Sequence, residues 1–213
     1  MNASIKALES LFFNYNSEHS KAAFLEISGI ILTDENFLEK VKKFDTAIAK
    51  YPVYKDLAEY AFDLMMIHHL SNFIKEDDYL DSKEWLDIED KTIERGTELL
   101  NVLLYISDVK ESDVAISIDD FLYEFLLVDE DEFQDEHRIY EDLIVNQDLV
   151  EESLENIMRI SSQIVETSEI KELFTPLVLF FQSPHDKVLS KDIYNRLNPL
   201  ERSILGCLLA FSV

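Results

Sequence analysis

Three glycines, at positions 29, 96 and 206, are all that this chain of 213 residues contains, alongside four prolines. Tight β-hairpin turns need residues that adopt positive φ at little cost, and glycine supplies most of them. Phosphate-cradling loops and dinucleotide-binding turns need glycine as well, because there the backbone itself must approach the ligand. Three isolated glycines leave no room for such turns, so the Walker and Rossmann fingerprints are excluded. No run of apolar–polar alternation bounded by turn residues occurs along the chain, which removes the ordinary signature of a sheet.

Helical spacing fills the space this leaves. Ile5, Leu8, Leu11 and Phe12 fall on one helical face, and Phe37, Val41, Phe44 and Ile48 form the stripe of another. Start signals predict a helix from Ser17 or Ser20, one capped by Thr33, one opened by Ser112-Asp113, one capped by Asn146 and one capped by Ser168. A long helix is expected from about Asp81 to Ser107, weakened or kinked at Gly96. Asn198-Pro199-Leu200-Glu201 reads as an N-cap, a proline at the first helical position and the acid of a capping box. From Val53 to Ile74 nearly every position is apolar, which marks a central, surrounded helix. The expected fold is all-α: one domain over residues 1–213, an irregular compact bundle of about nine to eleven helices, with a short α-solenoid as the alternative.

An apolar fraction of 47% with fourteen Phe and nine Tyr is enough for a sizeable core. The lone cysteine, Cys207, sits in an apolar run and reads as core filler, with neither a disulfide nor a Cys-based zinc site available. Lys6 and Glu9 interrupt the first thirteen residues, unlike the apolar stretch of a signal peptide. The longest apolar runs, near 173–181 and 204–211, are too short to span a bilayer. No membrane association and a cytoplasmic location are therefore expected.

Charge is the other strong constraint. Forty-four acids against nineteen Lys and Arg give −25, which disfavours direct nucleic-acid binding, since affinity for phosphate comes mainly from Lys and Arg. The charge is also unevenly spread. Residues 1–75 carry −2, residues 76–110 carry −7, residues 111–170 carry −17 and the last 43 carry +1. The densest stretch places Asp129, Glu130, Asp131, Glu132, Asp135, Glu136, Glu141 and Asp142 around Phe133, Ile139 and Tyr140. Aromatic side chains inside an electrostatic rim have the composition of a binding hot spot. This segment is the candidate docking face for a basic protein partner, with Phe133 and Tyr140 as its anchors.

Other chemistry finds less support. Neither Asp77–Asp90 nor Asp129–Asp142 has the glycine of an EF-hand loop, and Gln134-Asp135-Glu136-His137 is not the Glu-x-x-His of a di-iron bundle. No metal or cofactor is expected. His68 and His69 are adjacent on the most apolar helix, point about 100° apart and have no carboxylate one turn away, so both read as structural. Ser183-Pro184-His185-Asp186 has the residue types of a triad without a nucleophile elbow. Asp77-Asp78-Tyr79-Leu80-Asp81 matches the DDxxD pattern with which isoprenoid synthases hold Mg²⁺-diphosphate, but no second acidic motif of that form follows and the region lacks basic residues for a diphosphate. The sequence therefore favours a non-catalytic acidic protein-binding module, such as an immunity-type inhibitor or nucleic-acid mimic that neutralises a basic partner like a nuclease toxin. The alternatives are a Mg-dependent isoprenoid-diphosphate enzyme acting through residues 77–81 and a structural or scaffolding helical protein.

Overall fold

The most apolar helix of the sequence becomes the centre of the molecule. In the computed structural model, which describes residues 2–16, 18–73, 79–112, 114–127, 138–182 and 191–213, every side chain from Tyr60 to Leu70 is buried. This helix, α4 (Ala58–Phe73), is preceded by α1 (Ala3–Tyr15), α2 (Ser20–Ile31), α3 (Phe37–Lys50) and a 3-10 turn at Pro52–Leu57. A second 3-10 turn at Tyr79–Asp81 leads into α5 (Lys83–Thr92) and α6 (Leu99–Ser112). A π-helical segment at Asp120–Phe125, α7 (Glu141–Ile144) and a 3-10 turn at Gln147–Glu151 follow. The chain ends with α8 (Leu154–Ser161), α9 (Lys171–Gln182), α10 (Lys191–Arg196) and α11 (Pro199–Ser212). The fold is all-α, and no strand occurs among the described residues.

The first and last helices pack against each other, as the two ends of an open solenoid would not, so the elements close into a bundle. Helix α1 also meets α2 and α4; α6 lies on α4 and α11; α9 lies on α11 and α8. One apolar cluster runs from Ile5 through Phe44, Leu64, Tyr105 and Phe174 to Phe211. Cys207 is fully buried in that cluster, and burial pushes its thiol pKa up. No described helix is long and apolar enough to cross a membrane.

Several helix starts differ from those the sequence predicts. Asn36, not Thr33, caps α3: its side chain accepts from Leu38 N at 2.9 Å, while Thr33 donates to Ile30 O. Ser112 closes α6 instead of opening the next helix. Ser117 takes that role, because Tyr105 Oη donates to its carbonyl and accepts from its N–H, both at 3.0 Å, and its hydroxyl accepts from Asp120 N. Ser153 caps α8, whereas Asn146 precedes a 3-10 turn. The capping box at Asn198 and Glu201 forms as its sequence predicts, with both bonds at 2.9 Å.

The helix expected over 81–107 is two helices. Helix α5 ends at Thr92 and α6 begins at Leu99, with Gly96 in the turn between them. Asp63, fully buried on α4, accepts from Thr97 N at 3.1 Å and from Thr97 Oγ1 at 2.6 Å, and Thr97 Oγ1 accepts from Leu99 N. A carboxylate from another helix thus starts α6. Gly96 is the residue that lets it in, since a Cβ there would stand 2.9 Å from Asp63 Oδ1.

Candidate functional site

Seven of the ten residues expected on the docking face, Asp129, Glu130, Asp131, Glu132, Phe133, Asp135 and Glu136, lie outside the described residues. Glu141 is exposed in the first turn of α7, 3.5 Å from Arg138 Nε. Asp142 is half-buried and accepts from Ser168 Oγ at 3.0 Å. Tyr140 overturns its expected role. It is only 1% exposed, packs edge-on to Phe121 at 5.7 Å, donates its hydroxyl to Glu98 and accepts from Asn101 Nδ2. Ile139 and Leu143 are buried beside it in sequence. The mixture of acids and apolar residues in 138–143 is therefore the two-sided pattern of a short surface helix, with the aromatic facing inward. Burial, with Glu98 next to it, pushes the Tyr140 hydroxyl pKa up.

The carboxylates themselves stay at the surface. Asp119, Glu124, Asp148, Glu151 and Glu169 are exposed, and none of them forms an ion pair among the described residues. Gln147 Nε2 donates to Tyr123 Oη at 3.1 Å, which ties the 120–125 segment to the 147–151 turn and brings their acids onto adjoining stretches of surface. Of the DDxxD match, Asp77 and Asp78 lie outside the described residues, Tyr79 is buried and Asp81 is exposed. Among the described residues, no group of three or more His, Cys, Asp or Glu is placed to hold a metal ion.

Hollows interrupt the surface of the described residues, and two of them bear on function. One, of about 520 Å³, lies between α3, the 52–57 turn and α4. Arg95 closes it, with its guanidinium 5.0 Å from the centre of the Phe62 ring and bound to Asp45. Its apolar floor of Phe44, Ile48 and Phe62 is thus capped by an ion pair of the protein's own. The other, of about 450 Å³, opens where the α2–α3 turn meets α3, α4 and α5. Its charged groups are not all committed.

Lys40, His68 and His69, which line this second hollow, are respectively 9%, 9% and 7% exposed. Lys40 Nζ donates to Ile31 O at 2.9 Å, satisfying a carbonyl at the end of α2. His69 Nε2 is 2.7 Å from Tyr79 Oη, and its ring lies 4.6 Å from that of Phe37. Burial first, and then the nearby Lys40 ammonium, lower both imidazole pKa values, that of His69 to about 4. Both shifts favour the neutral ring. His68 Nδ1 is shielded from solvent and has no hydrogen-bond partner among the described residues, while its Nε2 lies 3.5 Å from Asn72 Nδ2. Asp34, Glu35, Asn36 and Glu84 stand exposed around the mouth.

Comparison with protein-family models, characterised proteins and solved structures finds no match for this chain.

Sequence reasoning passed over Lys40 and Asp63, yet both leave a readable trace. Lys40 stands three residues after Phe37 and four before Phe44, on the buried stripe of α3 where a lysine is out of place. Asp63 is the one carboxylate between Tyr60 and Leu70, in a helix apolar on all sides. The partner of His69 leaves no such trace, because Tyr79 arrives from the turn beyond α4, not from one helical turn away.

Proposed function

We propose that this protein is a non-catalytic, acidic protein-binding module that neutralises a basic partner. The observation that supports this reading is the concentration of uncompensated carboxylates: −17 of the −25 falls in residues 111–170, which contain only Arg138 and Arg159 as bases. Asp119, Glu124, Asp148 and Glu151 in that stretch are exposed and form no ion pair among the described residues. Solubility alone would be served by charge spread over the whole chain. A local anionic field steers a cationic protein to one face and raises its association rate. A nuclease is a suitable partner, since its substrate cleft is cationic and an anionic protein seated there blocks phosphate. The specific form of the proposal is an immunity-type inhibitor or nucleic-acid mimic.

The test is retention of partners from the native cell at low salt, followed by elution with rising salt. Three proteins are compared: the wild type, a variant with Asp119, Glu124, Asp148 and Glu151 changed to Lys, and a variant with Asp129, Glu130, Asp131 and Glu132 changed to Lys. The wild type should retain one basic protein stoichiometrically and release it at moderate salt, and at least one variant should lose it. The proposal fails if no stoichiometric partner is retained at any ionic strength, or if both variants bind as the wild type does.

A further inference from the structure

The hollow between the α2–α3 turn, α3, α4 and α5 has the Lys40 ammonium at its floor and carboxylates at its rim. Lys40, His68 and His69 at its floor are about nine-tenths buried, and Phe37 beside them is 1% exposed. A lysine ammonium has three N–H donors. Lys40 uses one on Ile31 O, which leaves two with no acceptor among the described residues. The neighbouring His68 also has an unpaired nitrogen, Nδ1. Buried donors of a charged group are normally all satisfied, because leaving them unmade forfeits the solvation that burial removed. At the rim, Glu35 is bound to Lys43, and Asp34 and Glu35 act on Lys40 at longer range. Neither Asp34 nor Glu84 has an ion-pair partner among the described residues. The site thus offers an ammonium inside and carboxylates outside.

We propose that this hollow binds a small zwitterion of the free α-amino-acid class, its carboxylate on Lys40 and its ammonium on the Asp34 and Glu84 rim. The order of charges separates this class from its competitors. A free phosphate or a dicarboxylate would satisfy Lys40 but would set surplus negative charge against the rim. A simple amine would suit the rim and leave Lys40 unmatched. A volume of about 450 Å³ is in the lower part of the range of small-molecule sites, roughly 300–1,000 Å³. The Phe37 ring and Leu32 supply an apolar wall for the ligand's side chain. This site is separate from the acidic face proposed above and does not depend on it.

The experiment uses the full chain and offers the twenty free amino acids singly, with acetate, n-butylamine and inorganic phosphate as controls at matched ionic strength. Thermal shift reads binding, and ¹⁵N imidazole resonances of His68 and His69 report its place. At least one amino acid should raise Tm and move the His68 resonance, with Kd about tenfold or more below that of acetate, butylamine or phosphate, the scale of one charge-assisted contact. Glu84→Gln, at an exposed position, should weaken amino-acid binding by about tenfold and leave acetate binding unchanged. Lys40→Met should abolish both, and Glu84→Gln carries the test if Lys40→Met fails to fold. The proposal is overturned if no amino acid moves the His68 resonance, if acetate or phosphate binds as tightly as the best amino acid, or if Glu84→Gln leaves binding unchanged.

Discussion

Asp63 is fully buried on the central helix, and the groups that act on it are Thr97 and the carboxylates of Glu98 and Glu59, with no cation among them. Burial therefore raises its pKa well above the ordinary 3.8, and the Thr97 N–H and O–H offset only part of that shift. The side chain holds the start of α6 and carries an electrostatic penalty for doing so. Removing it in Asp63→Ala leaves two donors of Thr97 unpaired and should cost about 2–4 kcal/mol of unfolding free energy. Asp63→Asn keeps an acceptor oxygen for Thr97 and should cost much less. The pH dependence separates charge from packing. A carboxyl with a raised folded-state pKa contributes stability that is complete below its unfolded value and is lost as pH rises through its folded value. Asp63→Asn should therefore gain on the wild type as pH rises from about 4 towards 8, measured by urea unfolding at each pH; a difference that is flat with pH would refute the shift.

At the scale of elements, amphipathic stripes proved readable and boundaries did not. The caps at Thr33, Ser112 and Asn146 are plausible N-caps by residue type, yet the structure uses Asn36, Ser117 and Ser153. Short-range preference offers several candidates within a few residues, and a contact from elsewhere selects one, as Tyr105 does at Ser117. The pairing of α1 with α11 is equally invisible locally. It depends on Gly206, where a Cβ would fall 2.2 Å from Asn14 Nδ2 and 2.8 Å from Ser10 Oγ. Asn14 is held in place by Ser10 and by Tyr194 Oη, which donates to its Oδ1 at 3.2 Å. Gly206→Ala should cost about 1–3 kcal/mol by overpacking. The closer of the two clashes is with the Asn14 amide, so the double variant Asn14→Ala/Gly206→Ala should be more stable than the sum of the single effects predicts, by more than about 0.5 kcal/mol in a thermodynamic cycle. Strict additivity would mean that the two helices are not limited at this contact.

Across the whole molecule, a net charge of −25 on 213 residues makes self-repulsion a standing cost of the compact state. Raising NaCl from about 0.02 M to 0.3 M shortens the screening length from roughly 20 Å to 6 Å. Tm at pH 7 should rise by a few degrees over that interval. Affinity for the proposed basic partner should fall over the same interval, and these opposite signs distinguish screening of the fold from screening of the interface. A Tm that falls with salt would mean that the eight Lys and Arg ion pairs among the described residues outweigh the repulsion, contrary to the small stabilisation that exposed pairs provide.

Glycine scarcity, 3.6-residue apolar spacing and the apolar run before residue 74 determined the all-α class, the central place of α4 and the burial of Cys207. These follow from properties that each residue carries with it: backbone freedom, side-chain periodicity and hydrophobicity. Tertiary structure decided what depends on residues far apart in the chain. It turned Tyr140 inward onto Glu98, split the helix expected at 81–107 by setting Asp63 against Thr97, and gathered Lys40, His68 and Glu84 around one hollow. The direction of a side chain near an acidic run depends on which neighbour offers a partner out of water, and that neighbour lies 42 residues away for Tyr140 and 34 for Asp63.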